Sequence, residues 1–267
     1  MSNAMRTALL VVQIIIAVVL LSVIGYTVSR LYADDSLLLL SPVMQENSRL
    51  SLLLNVFMPS VLHIVASVIA AGLLRYHYRS QTGIEAQILP VLLLASTIGY
   101  VVLLPWFSFV SKQVALSAPV ISAIYHFSQI FIALGYAGCA LMHNSALELN
   151  LNRYMFSIFV FSVFGVSIAP ITSNSLVEPV ISHMPNNMFS IAVLAIEIIA
   201  IVAFTIGLIK ESNKHERMRY LAFILMTVGS SFLCNYFSVA FNIAGIIFFV
   251  TGAFFLVFLT RTYQVWT

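Results

Sequence analysis

Long apolar runs separated by short polar clusters repeat along the whole chain. A membrane span needs roughly 20 apolar residues at 1.5 Å of rise each. On that rule the segments 7–29, 50–74, 88–110, 117–141, 154–173, 187–209, 219–236 and 239–260 read as spans. The pattern predicts an all-α integral membrane protein, a bundle of about eight transmembrane helices with both termini in the cytoplasm. Only Asn235-Tyr236-Phe237-Ser238 separates the last two segments, so a single re-entrant segment is the competing reading there.

Charge placement tests this count independently. With eight spans, Arg6, Arg75, Arg79, Arg153, Lys210, Lys214, Arg217, Arg219 and Arg261 fall on the side of the N-terminus. Arg30, Arg49 and Lys112 fall on the other, which accounts for all 12 basic residues. Basic residues concentrate on the cytoplasmic side of membrane proteins, so the split orients the bundle N-in and C-in. Removing one span would scramble it.

Composition changes the picture in one respect. Charged residues are 8% of the chain and hydrophobic ones 61%, against roughly 25% charged in soluble domains. Too few charged groups exist to cover a water-facing surface, so a lipid bilayer is the implied partner. The net charge of +3 is spread over loops and forms no basic stripe, which leaves nucleic acid without a docking surface. Met1-Ser2-Asn3-Ala4 ahead of a second methionine, Met5, reads as an expression-tag scar. Residues 5–267 are then a single transmembrane helical domain. The Ala8–Val28 run is too long for the apolar part of a signal peptide, about 7–15 residues, and reads as a retained span. Cys139 and Cys234 both lie in apolar context and read as small buried hydrophobes.

Two outer loops stand apart. Residues 31–48 carry Asp34, Asp35 and Glu46 around four consecutive leucines, and are expected to rest on the membrane surface; residues 174–186 carry Glu178, His183 and two prolines. Each contains a Pro-Val pair and precedes a span with a central ionisable residue. A weak four-plus-four duplication with an offset near 135 residues would account for this, as in transporters built from repeats.

Ionisable side chains inside spans are costly and mark functional sites by default. Three are present: His63, His126 and Glu197, on the second, fourth and sixth spans. Their distances from the outer span ends place them roughly 14–20 Å deep, at levels that would let them converge. Ser122, Tyr125, His126 and Gln129 follow the i, i+3, i+4, i+7 rule and form one polar stripe. Ser51, Asn55, Pro59, His63 and Ser67 recur every four residues on the second span. Pro59 has no N–H, so the carbonyl of Asn55 is expected to lose its helical partner one or two turns from His63. Glu197 stands alone between Ile196 and Ile198. The plainer reading of the two histidines is interhelical hydrogen bonding that fixes packing. Tyr263 and Trp266 beside Arg261 read as an interfacial anchor.

Catalytic signatures are thin. The chain contains no H-E-x-x-H, G-x-S-x-G or Walker A pattern, and its only aspartates are Asp34 and Asp35 in an outer loop. No cofactor or metal is required by this inventory. The leading expectation is a small-solute transporter or membrane-embedded binding protein of the bacterial inner membrane. Its ligand- or proton-binding site would combine Glu197, His63, His126, Tyr125, Gln129 and Asn55. A sensory or assembly subunit that binds a lipid or protein partner through the basic 210–219 loop is the alternative. A redox enzyme with haem between His63 and His126 ranks third. Small-molecule or lipid ligands and self-association are compatible with each.

Overall fold

The computed structural model describes residues 3–33, 49–77, 85–111, 118–144, 151–168, 187–234 and 239–263. The 31–48 and 174–186 loops, the 235–238 link and the Trp266 anchor lie outside the described residues. Within them every residue is helical except Glu211, Ser212 and Asn213.

Among the described residues eight helical stretches follow one another, one at each segment read from the apolar pattern. The first is α1 (Asn3–Ala33). The second joins α2 (Arg49–Leu52), a π-helical turn (Leu53–Phe57) and α3 (Met58–His77). The third joins α4 (Glu85–Gly99), a 3₁₀ turn (Tyr100–Leu103) and α5 (Leu104–Ser111). Then come α6 (Ala118–Asn144), α7 (Leu151–Ile168), α8 (Asn187–Lys210), α9 (Lys214–Cys234) and α10 (Val239–Tyr263).

Six of these stretches are long and apolar enough to cross a membrane: those of α1, α3, α4–α5, α6, α8 and α10. The other two fall short for identifiable reasons. The first six residues of α9 include Lys214, Glu216, Arg217 and Arg219, so its apolar part starts only at Tyr220. In α7 the apolar helix among the described residues runs only Arg153–Ile168.

Both irregular turns trace to proline. Pro59 offers no N–H to its own helix, and the preceding turn widens so that the Met58 N–H bonds to Leu53 O. Pro105 likewise cannot serve Val101, and the turn before it tightens so that the Leu104 N–H takes Val101 O. Between α8 and α9 the three-residue turn is capped locally. The Asn213 side chain accepts the His215 N–H at 3.0 Å, and Glu211 accepts the Asn213 N–H at 3.0 Å.

Pairs of contacts between helices give their relative directions. Ser67 meets Ser96 and His63 meets Tyr100, so α3 and α4 are antiparallel. Ala95 with Ser128 and Leu92 with Gly135 make α4 and α6 antiparallel. Tyr154 over Gly138 and Phe159 on Phe127 do the same for α6 and α7. Glu197 with Ser231 and Phe204 with Tyr220 set α8 against α9, and Gly229 with Phe249 and Gly252 with Ala222 set α9 against α10. Three pairs are parallel. Gln13 with Thr97 and Tyr26 with Phe107 align α1 with α4–α5. Asn55 with Asn242 and His63 with Phe249 align α10 with the second stretch. His126 meets Phe189, and Ile130 and Ala133 cluster with Val193 and Ile196, so α6 and α8 are parallel too.

Two main apolar clusters fill the interior. One centres on α3, α4, α6 and α8–α10 and holds Phe204, Phe223 and Phe249; the other joins α1 to α2–α5 around Trp106 and Phe57. Lipid is as apolar as these side chains, so burial among them does little to associate the helices. Polar bonds and close backbone approach carry that task.

Candidate functional site

Hydroxyls in a membrane helix have two ways to be satisfied. Ser22, Thr27, Ser157, Ser162, Ser167, Thr205 and Thr227 bond back to the carbonyl four residues earlier, so their donors need nothing from a neighbour. The exceptions mark where helices are joined. Several of them, Ser67, Ser96 and Ser128, gather around α4.

Gln13 of α1 donates through Nε2 to Leu93 O and to Thr97 Oγ1, both at 3.1 Å. Ser96 and Thr97 also bond to Leu93 O. One turn along α4, Ser96 Oγ lies 3.3 Å from Ser67 Oγ of α3. Ser128 of α6 donates to Ala95 O at 2.6 Å. His63 Nδ1 is 2.6 Å from the Tyr100 hydroxyl, and the imidazole stands edge-on to Phe249 of α10 at 4.4 Å between centroids. Gln13, His63, Ser67, Ser96, Thr97 and Ser128 are all buried. The result is a polar seam across α1, α3, α4 and α6, closed by an aromatic ring from α10.

His63 Nε2 is buried without a hydrogen-bond partner among the described residues. Buried polar atoms are nearly always satisfied, so an orphan at the end of a seam marks a place for a proton or a ligand atom. Tyr100 either donates to Nδ1 or accepts from it, and the choice decides whether Nε2 bears a hydrogen.

The other predicted residues sit elsewhere. His126 is buried, with Nδ1 2.7 Å from Ser122 O and 3.2 Å from Ser122 Oγ, and its ring is edge-on to Phe189 of α8. Ser128, two residues on, points to α4, because two residues rotate a helix by about 200°. His126 therefore looks away from the seam. Tyr125 packs on the α1–α5 cluster, on another side of the same helix, and Gln129 is partly buried. Glu197 is buried at the α8–α9 interface, where Ser231 hydrogen-bonds its carboxyl. The three ionisable residues thus occupy three different helix interfaces, and no direct contact joins them. The two imidazoles stand edge-on to different rings, Phe249 for His63 and Phe189 for His126. Among the described residues no three His, Cys, Asp or Glu side chains come together. Cys139 is a buried free thiol.

The expectation for Asn55 is met in an altered form. Its carbonyl is released from the helix ladder beside Pro59, and Asn242 of α10 takes it with Nδ2 at 2.9 Å. That acceptor is spent on joining helices. The four-residue polar repeat of the second span also divides, because each step of four adds about 40° of rotation. Asn55 gives its carbonyl to α10, while His63 and Ser67 turn to the third helical stretch.

Sequence reasoning missed Gln13, Ser96, Thr97, Tyr100, Ser128, Ser231 and Asn242. A signal was present for some. Gln13 is the one amide in a long apolar run, and Ser96, Thr97 and Tyr100 fall at i, i+1, i+4 on one helix. A search confined to ionisable residues passes over them.

No family model, curated protein or solved structure matches this chain.

Proposed function

We propose that the chain is an eight-span protein of the bacterial inner membrane, with both termini in the cytoplasm, that transports or holds a small polar solute at the His63–Tyr100 end of its polar seam. The orphaned His63 Nε2, 99% shielded and bonded at its other ring nitrogen to the Tyr100 hydroxyl, is the observation that carries this reading. A seam that served packing alone would leave no buried imidazole nitrogen unsatisfied. Glu197 and Ser231 would form a second, separate polar point, suited to a proton rather than to direct contact with the same solute. This replaces one converging cluster with two sites on different interfaces.

The helix directions support the eight-span count. Were α7 not to cross, α6 and α8 would be consecutive crossings and would run antiparallel; they run parallel. The antiparallel steps from α8 to α9 and from α9 to α10 favour a crossing by α9 in the same way. In that arrangement Arg6, Arg75, Arg153, Lys210 and Lys214 gather at one end, which the distribution of basic residues makes cytoplasmic.

Two measurements test the proposal. Single cysteines at Ser145, Ser182 and Ser212, in a protein lacking Cys139 and Cys234, are to be labelled in cells with a membrane-impermeant maleimide. Only Ser182→Cys should react; equal reactivity at Ser145→Cys and Ser182→Cys would remove the α7 crossing. Purified protein in liposomes loaded with a pH-sensitive dye is then offered amino acids, sugars, nucleosides and monocarboxylates. Uptake of one class should fall at least tenfold in His63→Ala, and Glu197→Gln should flatten its pH dependence. An uptake identical in wild type and His63→Ala would end the seam reading. An unchanged pH profile in Glu197→Gln would end the protonation role.

A further inference from the structure

The turn between α8 and α9 concentrates charge that neither the polar seam nor Glu197 uses. From Lys210 to Arg219 the chain holds four basic residues and two glutamates. Both carboxylates are engaged locally. Glu216 accepts the Arg219 guanidinium at 2.9 and 3.2 Å, and Glu211 accepts the Asn213 N–H at 3.0 Å. Lys210, Lys214 and Arg217 are exposed, and among the described residues none of the three forms an ion pair.

The local fold keeps these cations together. Lys210 ends α8 and Lys214 opens α9. The backbone between them is fixed at both sides, by Glu211 N–H on Gly207 O and Arg217 N–H on Asn213 O, each at 3.0 Å. Lys214 and Arg217 are one turn apart on a single face of α9.

The side of α8 that leads to this turn is apolar. A helix turns by about 100° per residue, so Ile199, Val202, Ile206 and Ile209 share one face. All four are exposed. Lys210 follows Ile199 by about three full turns and closes the same face. In a bilayer such a face meets acyl chains, and the helix end lies at the depth of the headgroups. A lysine stem placed there lies along hydrocarbon while its ammonium reaches the phosphates. Exposed cations hold a soluble anion weakly, because water and salt screen them. A headgroup tethered by its own chain meets them at high effective concentration.

We propose that the α8–α9 turn binds an anionic phospholipid, with its headgroup at Lys210, Lys214 and Arg217 and an acyl chain along Ile199, Val202, Ile206 and Ile209. The proposal is independent of transport, since it requires neither His63 nor Glu197.

Wild type, Lys210→Gln/Lys214→Gln/Arg217→Gln and Arg75→Gln/Arg79→Gln/Arg153→Gln are reconstituted in nanodiscs of mixed phosphatidylglycerol and phosphatidylcholine with matched chains. The second variant removes as many cations from other loops. Lipid retained on detergent release is counted by native mass spectrometry. Wild type and the second variant should retain phosphatidylglycerol over phosphatidylcholine, and the first should lose that preference roughly fivefold or more. In wild type the preference should also fall when sodium chloride during release is raised from about 0.1 to about 0.5 M. Equal loss in both variants would overturn the proposal, because retention would then follow total charge and not this turn. Displacement of the lipid from wild type by millimolar glycerol phosphate would overturn it in favour of a soluble anion. So would a wild type with no preference, or with one that salt leaves unchanged; neither result depends on a variant folding.

Discussion

The two ends of the chain hold their helices together by opposite means. From α1 to α6 the contacts are polar: Gln13 to α4, Ser67 to Ser96, Ser128 to Ala95 O and His63 to Tyr100. Between α9 and α10 they are close backbone approaches. A Cβ on Gly229 would lie 2.5 Å from the Phe249 nitrogen and 2.7 Å from Gly245 O, and one on Gly252 would lie 2.6 Å from Ala222 O. Helices in lipid gain little from burying apolar side chains, so association depends on hydrogen bonds or tight van der Waals contact, and each half uses one of them. The polar half contains interior atoms that can meet a ligand. The α9–α10 pair brings backbone against backbone at Gly229 and Gly252, which makes it the better candidate for a rigid frame. The His63 ring on Phe249 and the Asn242 bond to Asn55 O are among the contacts between the halves.

The sharpest way to break this contrast is Gly229→Leu. The atoms in its way belong to backbone, which cannot swing aside, so about 3 kcal/mol or more of stability should be lost. Unfolding of the detergent-solubilised protein by heat or dodecyl sulfate measures it. A loss below about 1 kcal/mol would show that the α9–α10 pair tolerates separation and is not a frame. Gly135→Ala is the matched control. Its nearest obstacle is the Leu92 Cδ2 tip at 2.2 Å, a flexible end that has rotamers to use.

Gln13→Leu comes next. It removes both bonds to α4 while keeping side-chain volume, and about 1–2 kcal/mol should be lost by the same unfolding assay. Stability at or above wild type would mean that the polar half is held by packing, as the glycine half is. The smallest effect is expected for Gly72→Ala, where nothing lies within 4 Å of the added carbon. Helix propensity alone then acts, giving no change or up to about 1 kcal/mol of stabilisation. A clear loss there would place an unseen neighbour against α3.

Much of the architecture was legible in the chain because bilayer thickness imposes a length on apolar runs. Within the described residues each of the eight predicted segments holds a helix, and the break at Pro59 followed from a missing N–H. Span status at α7 and α9 was harder to read. In α9 the Lys214–Arg219 charge cluster shortens the apolar stretch without ending the helix, and in α7 the described apolar helix runs only Arg153–Ile168. His63, His126 and Glu197, the ionisable residues of the apolar segments, are all buried. Their separation into three interfaces was not legible. Depth along a span follows from counting, whereas the face a residue turns to depends on the rotation and neighbours of each helix.

The sequence by itself determined the solvent of this protein, the helical state of its described segments and the few positions where polar atoms enter the apolar interior, because hydrophobic length and backbone hydrogen bonding are local requirements. Tertiary structure decided which of those atoms meet. It gave Asn55 O to Asn242, 187 residues away, and His63 Nδ1 to Tyr100. It also left Nε2 without a partner and set Arg75 beside Arg6. Such pairings arise from helix order and direction in the bundle, and lipid, which attracts no apolar face over another, writes neither into the hydrophobic pattern.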